Sequence, residues 1–205
     1  MTSAILPAAA SCPIPDSRPP RAGSRSVRFA QARCEIRDGD VLLWRPTSLC
    51  GRAIAAATGS IYSHASLAAW FCDSLANLEM VQWAGGRAAN LEKQVQRWPG
   101  CCDVYRVPVI PEPRWVVRQM FRLVQQDYGW QDFLYIVGSR YLRLPLLAVE
   151  NTRDPEQPRV CSAAVAWAIR TGAGLRVDPR RNDAQIVPGD LADEDFSRYV
   201  LTLIP

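Results

Sequence analysis

Residues 160–169 read Val-Cys-Ser-Ala-Ala-Val-Ala-Trp-Ala-Ile, a stretch in which a thiol comes directly before an alanine-rich run. The run favours a helix, which places Cys161 at or near the helix N-terminus. Unpaired backbone N–H groups and the positive end of the helix dipole lie there, and both stabilise a thiolate. Cys161 is therefore the candidate nucleophile among the seven cysteines of the chain.

His64 is the single histidine of the chain, so a Cys–His mechanism must use it. A nucleophilic cysteine needs a base within reach, roughly 4 Å in a site without substrate, and a polar group that orients the imidazole. We therefore expect His64 and Cys161 to meet across the domain. Glu79 and Gln82, in the strand that follows, are the candidates for the orienting group. They point to opposite faces of that strand, and spacing alone does not choose between them.

Short apolar segments bounded by turn residues alternate with segments of helical composition along most of the chain. Strands are predicted at residues 40–44, 64–71, 78–84, 103–109 and 199–204. Helices are predicted at 48–57, 88–96 and 111–127, besides the one after Cys161. This mixture predicts an α+β fold and not a doubly wound parallel sheet.

The chain has 205 residues, of which 48% are hydrophobic and 21% charged, so we expect one folded domain. Residues 1–36 hold five prolines and most of the arginine excess behind the net charge of +4, and they are predicted to form a flexible arm before a domain over 37–205. The arm carries no nucleic-acid-binding motif, so no nucleic-acid partner is expected. No apolar stretch approaches the ~18 to 20 residues of a membrane-spanning helix.

The cysteine pattern bears on compartment and on metal binding. An odd number of cysteines, two of them adjacent at 101 and 102, does not resemble a disulfide framework and favours the reducing cytoplasm. Export is the alternative, because residues 8–12 resemble a lipoprotein cleavage site. One histidine and no Cys-x-x-Cys motif predict no metal site, and no phosphate-binding loop is present, so no cofactor is expected.

The order of several motifs resembles the circularly permuted papain-like amidases of the NlpC superfamily, of the YaeF/YiiX type. The likeness covers roughly residues 37–191. Its motifs are Asp38-Gly39-Asp40-Val41-Leu42-Leu43, Tyr62-Ser63-His64-Ala65, a strand closed by Gly85-Gly86, Tyr128-Gly129-Trp130, Cys161-Ser162-Ala163-Ala164-Val165 and the terminal Pro-Gly-Asp-Leu segment. The resemblance implies a permuted papain-like fold with a small antiparallel sheet packed against helices.

Carried over to this chain, the resemblance makes Cys161 the nucleophile and His64 the general base and then acid. The position at which the family commonly has Glu falls on Gln82, which we therefore prefer as the orienting residue. Glu79 takes that role if the strand register is shifted. Tyr62 and Trp83 flank these residues in sequence and are expected to line the substrate groove.

The resemblance implies a thiol hydrolase, an amidase or cysteine peptidase, that cleaves an amide through an acyl-enzyme. A peptide, peptidoglycan or a lipid amide is the expected substrate. One alternative is acyl transfer of the lecithin:retinol acyltransferase type, although the Asn-Cys-Glu-His motif of those enzymes is absent. The other is an inactive binding module, suggested by Gln82 in place of an acid. The loop at residues 143–159 is expected to overhang the site.

Overall fold

The computed structural model describes residues 24–128 and 160–205, and within these ranges seven strands form one sheet in the order β1-β7-β6-β2-β3-β4-β5. The strands are β1 (Ser26–Arg28), β2 (Val41–Trp44), β3 (His64–Phe71), β4 (Ser74–Val81), β5 (Gly85–Asn90), β6 (Cys102–Arg106) and β7 (Arg198–Ile204). Only the β1–β7 pair is parallel among them. The predicted α+β class agrees with this arrangement.

Five helices and two short 3-10 turns complete the described part of the chain. They are α1 (Phe29–Ala32), α2 (Leu49–Thr58), α3 (Leu91–Arg97), α4 (Pro113–Phe121), α5 (Cys161–Ala173) and the turns Asp183–Gln185 and Pro188–Ala192. The helices predicted around α2 and after Cys161 are confirmed. The Ser48 side chain caps α2 by accepting a hydrogen bond from the Gly51 N–H, and Gly59 ends it in the left-handed region at φ 64°.

Alternating side chains along the strands divide the core into two layers, one on each face of the sheet. Val41 and Leu43 of β2 face the layer that contains α4 and α5. Leu42 and Trp44, which alternate with these two residues along β2, face the layer that contains α1 and α3. The sheet is thus buried on both faces, which explains why β2 has no polar residue.

The β4–β5 hairpin differs from the sequence prediction in its bounds. The strand predicted at 78–84 begins at Ser74 and ends at Val81, and the helix predicted at 88–96 is strand up to Asn90. Gly86 packs directly on the backbone of residues 123–126, because a Cβ there would lie 1.7 Å from the Leu123 carbonyl oxygen. This close approach fixes the hairpin and leaves no room for a side chain.

The predicted arm over residues 1–36 is wrong for its described part, residues 24–36. Ser26–Arg28 pairs with β7, and Phe29, Ala32 and Ile36 are buried in the core. The composition argument failed because a few well-spaced apolar residues suffice to anchor a short segment at a sheet edge. Residues 1–23 and the predicted loop at 143–159 lie outside the described residues.

Among the helices of the described ranges, none is long and apolar enough to cross a membrane. The cytoplasmic location stays a prediction.

We predict that Phe29→Ala lowers the free energy of unfolding by about 3 kcal/mol, because it removes a buried aromatic ring and leaves a cavity. The measurement is urea denaturation. Phe121→Ala is the matched control, since the Phe121 side chain is 48% exposed and should contribute less than half as much. Equal losses in the free energy of unfolding for the two variants would show that residues 24–36 are not anchored in the core.

Candidate active site

His64 and Cys161 lie together, and each is the first residue of its element, β3 and α5. The imidazole and the thiol are close enough that each shifts the pKa of the other. The backbone N–H groups of Ala65 and Ser162 also lower the pKa of the Cys161 thiol. The sulfur therefore occupies a site built to hold negative charge, at the helix N-terminus where the sequence placed it.

Glu79 is the residue that contacts the other side of the imidazole. His64 Nε2 lies 2.9 Å from Glu79 Oε2, so Nδ1 is the ring nitrogen available to the Cys161 sulfur. The sheet register explains the contact: Glu79 pairs with Ser66, and His64, two residues before Ser66, faces the same side of the sheet. Glu79, His64 and Cys161 thus lie in series, with His64 between the other two.

Gln82 makes no hydrogen bond to His64, so the expectation that Gln82 orients the imidazole is wrong. It follows the last residue of β4 and lies in the turn, where its Oε1 is 3.7 Å from the Cys50 sulfur. Glu79 lies on the face of β4 that His64 shares, whereas Gln82 lies beyond the end of that strand. Gln82 still lines the cavity at the site.

Tyr62 and Trp83 do not line the cavity, contrary to expectation. Tyr62 is buried, and its hydroxyl donates a 2.7 Å hydrogen bond to Asp103. Burial and the neighbouring Asp103 charge raise the pKa of Tyr62, so it is a neutral structural donor. Trp83 is 87% exposed and has a left-handed backbone conformation at φ 70°. The backbone conformation of this turn, which directs the indole outward, could not be predicted from the neighbouring residues.

The two central groups shift each other's pKa in the directions that favour an ion pair. Burial lowers the pKa of His64, but the hydrogen bonds and charges of Cys161 and Glu79 outweigh burial and raise it to about 10. Burial raises the pKa of Cys161, yet His64 and the two backbone donors bring it below its usual value. Both shifts favour the thiolate–imidazolium form of the pair over the neutral form.

Three further residues support Glu79, and sequence reasoning did not identify them. Oε1 of Glu79 accepts hydrogen bonds from Arg87 Nε at 2.9 Å and from Gln94 Nε2 at 2.7 Å. Asn77 Nδ2 donates in turn to Gln94 Oε1 at 2.7 Å, which fixes the orientation of that amide. Arg87 lies directly opposite Glu79 across the β4–β5 pair. That pairing becomes visible only when the hairpin register is known.

Burial of the Glu79 carboxyl favours its neutral form, but its partners outweigh this effect. His64 and Arg87 hold the pKa of Glu79 below its usual value. Glu79 is 4% exposed, so its charge is compensated almost wholly by protein groups. It can stabilise an imidazolium as well as orient it, which an amide such as Gln82 cannot do.

A cavity of about 240 Å³ opens on the Cys161 sulfur and the His64 ring. Helix α2 contributes Gly51, Ile54 and Ala57 to its wall, and the segment before the second 3-10 turn contributes Val187. Tyr128, the described residue of the Tyr-Gly-Trp motif, also lines it, whereas Gly129 and Trp130 lie outside the described residues. The Cys161 thiol thus faces a cavity that is partly open to solvent.

The described residues offer no group of three or more His, Cys, Asp or Glu side chains arranged to hold a metal ion.

Comparison with known proteins gives a fold relation. No protein-family model matches the chain, and no curated protein is significantly similar to it. A solved structure described as the metalloprotein yiiX from Escherichia coli O157:H7, DUF1105, aligns with a TM-score of 0.59 over 83% of this chain and 99% of that one. The sequences are 16% identical, so the likeness shows a shared YiiX-type fold.

We predict that iodoacetamide alkylates Cys161 at neutral pH faster than any other cysteine, because it is held as a thiolate. His64→Ala should slow this labelling by about tenfold or more, since the thiol then loses its imidazolium partner. Mass mapping of the labelled residue is the measurement.

Cys34→Ala is the control for this experiment, because Cys34 is an exposed cysteine outside the cavity. It should leave the labelling rate of Cys161 unchanged. Identical Cys161 rates in the wild type and His64→Ala would contradict the ion pair.

Proposed function

We propose that this chain is a cysteine hydrolase that cleaves an amide, or a related acyl bond, through a covalent acyl-enzyme. The observation that carries the proposal is the series Glu79, His64 and Cys161, with the thiol at a helix N-terminus and facing a cavity. Nucleophile, base and orienting acid are the three parts that such a mechanism requires. The motif order and the YiiX-type fold support a permuted papain-like hydrolase.

Acylation begins when the Cys161 thiolate attacks the carbonyl carbon of the substrate and forms a C–S bond. The negative charge moves to the carbonyl oxygen, for which the backbone N–H groups at the start of α5 are the nearest helix donors. As the carbonyl re-forms, the bond to the leaving group breaks, and His64 gives its proton to the departing amine. The products of this half-reaction are a thioester on Cys161, a neutral His64 and a free amine.

Deacylation reverses the roles of the same groups. Neutral His64 takes a proton from water while the water oxygen bonds to the thioester carbon. Collapse of this intermediate breaks the C–S bond and releases a carboxylic acid. The thiolate of Cys161 and the imidazolium of His64 are then restored, with Glu79 stabilising the charge on the ring.

The geometry weighs against the alternative that the chain is an inactive binding module. That alternative depended on an amide, Gln82, in place of the acid, whereas the buried carboxylate of Glu79 contacts His64. Acyl transfer passes through the same thioester and differs only in the acceptor. Addition of hydroxylamine, which would divert the acyl group to a hydroxamate, measures how readily an acceptor other than water is used.

We predict that Glu79→Gln lowers kcat/KM for butyryl p-nitroanilide by on the order of tenfold to a thousandfold, because the amide orients but does not neutralise the imidazolium. Since Glu79 raises the pKa of His64, the alkaline limb of the pH profile, expected near pH 10, should move to lower pH. Initial rates measured across pH give both the change in kcat/KM and the position of the alkaline limb.

Two variants serve as controls. Glu92→Gln removes the same charge from an exposed position on α3, and Gln82→Ala removes the residue first expected to orient His64. Glu92→Gln should change kcat/KM by less than about threefold. Gln82→Ala should leave the alkaline limb of the pH profile in place, because the Gln82 side chain bonds to Cys50 and not to His64. An essential Gln82 with a dispensable Glu79 would contradict the assignment, and full activity in Cys161→Ala would contradict the proposed function itself.

A further inference from the structure

We propose that the exposed face of helix α4 binds the anionic surface of a phospholipid membrane. Five side chains form this face, which we call the arginine stripe: Phe121, Arg114, Arg118, Arg122 and Trp115. Arg122 directly follows the last residue of α4 and caps the helix. None of the five lines the cavity at Cys161, so the proposal is independent of the hydrolase function.

Helical geometry places the five side chains of the arginine stripe on one side of α4. With 3.6 residues a turn, they fall within an arc of about 120°. The buried residues Val116 and Met120 lie on the opposite side of the helix and pack into the core. All five residues of the stripe are exposed. The helix is therefore amphipathic, and the arginine stripe is the side that it turns to solvent.

The charge of the arginine stripe is positive. Arg114 Nε lies 2.7 Å from the carboxylate of Glu112, and both side chains are exposed. In the part of the chain that the structure describes, Glu112 is the only acidic side chain that forms an ion pair with the stripe. Three arginines with one glutamate leave two positive charges uncompensated on a helix of nine residues. Anionic headgroups supply the complementary charge.

The arginine stripe also exposes aromatic surface at its two borders. Trp115 is 46% exposed and Phe121 is 48% exposed. Phe71, at the end of β3, adds a third exposed ring, whose centroid is 5.6 Å from that of Phe121. Aromatic rings favour the boundary between headgroups and acyl chains, and arginine favours the headgroups themselves. This combination fits a membrane surface better than a purely ionic partner.

Two other partners fit the arginine stripe less well. A nucleic acid would satisfy the arginines, but base stacking needs open ring faces. The Arg118 guanidinium lies over the Trp115 ring at 5.2 Å from its centroid, and the Phe121 ring packs against Phe71. A second copy of the chain that docked stripe to stripe would bring like charges together, which opposes association.

The experiment measures co-sedimentation of the full chain with vesicles. One set contains phosphatidylcholine alone, and the other contains equal parts of phosphatidylcholine and phosphatidylglycerol. We expect at least tenfold tighter binding to the second set, because each basic side chain near an anionic surface strengthens binding about fivefold. Raising NaCl from about 0.01 M to about 1 M should remove this preference, since the screening length falls about tenfold.

Substitutions in the arginine stripe separate its two contributions. Arg114→Gln, Arg118→Gln and Arg122→Gln, combined in one variant, should weaken binding to the anionic vesicles at least tenfold. Trp115→Ser combined with Phe121→Ser should weaken that binding about tenfold through the lost apolar contact, yet leave its salt dependence in place. Circular dichroism checks the fold of each variant. Arg118→Glu, a single change at an exposed position, repeats the charge test if the triple variant does not fold.

The matched control removes three positive charges from the other face of the sheet. It combines Arg28→Gln, Lys93→Gln and Arg97→Gln, three exposed positions beside or within α1 and α3. This variant should keep binding within about threefold of the wild type. Cys161→Ala should bind both vesicle sets as the wild type does, so the test of membrane binding is separate from the test of hydrolysis.

Four results would overturn the proposal. One is equal binding, or none, of the wild type to the two vesicle sets. Another is an equal loss of binding in the stripe variant and in the matched control, which would assign the effect to the net charge of the chain. The third is tighter binding of a single-stranded RNA than of the anionic vesicles through the same three arginines. The last is self-association that Trp115→Ser abolishes, which would make the stripe an interface between two copies of the chain.

Discussion

The site depends on the compensation of one buried carboxylate, that of Glu79. An unpaired charge at 4% exposure would cost several kcal/mol, so its partners must be in place for the fold to be stable. Those partners are His64 from β3, Arg87 from β5 and Gln94 from α3. Three elements are thus tied to one side chain. The same contacts that stabilise the charge also orient the imidazole, so stability and geometry have a common origin.

The strand register is the backbone feature that brings these groups together. Ser66, Glu79 and Arg87 lie opposite one another across three strands, and a slip of one residue would turn Glu79 to the other face of the sheet. The hairpin is held against such a slip by Gly86, whose backbone bonds to Gln126 and to Gln125 at 2.8 and 2.7 Å. A glycine outside the site therefore helps to hold Arg87 opposite Glu79.

Local signals in the sequence were sufficient for part of this structure. The helix start at Cys161, the caps of α2 at Ser48 and Gly59 and the single histidine could each be identified from a few neighbouring residues. The choice between Glu79 and Gln82 could not be made from neighbouring residues, because it depends on where a strand ends and on the pairing of that strand with distant residues. The N-terminal boundary failed for the same reason, since the partner of residues 26–28 is the last strand of the chain.

The charges in the site alternate in sign, and this order explains why a carboxylate serves it better than an amide. In the ion-pair state Arg87, Glu79, His64 and Cys161 carry positive, negative, positive and negative charge, so the cluster is neutral as a whole, with the 44% exposed Arg87 side chain at its edge. In the proposed acyl-enzyme His64 and Cys161 would both be uncharged, while Arg87 would still neutralise Glu79. The cluster therefore carries no net charge at either stable stage, and only the passing oxyanion needs further stabilisation. With Gln in place of Glu79, Arg87 would leave one positive charge uncompensated at both stages, beside a histidine that must itself become positive.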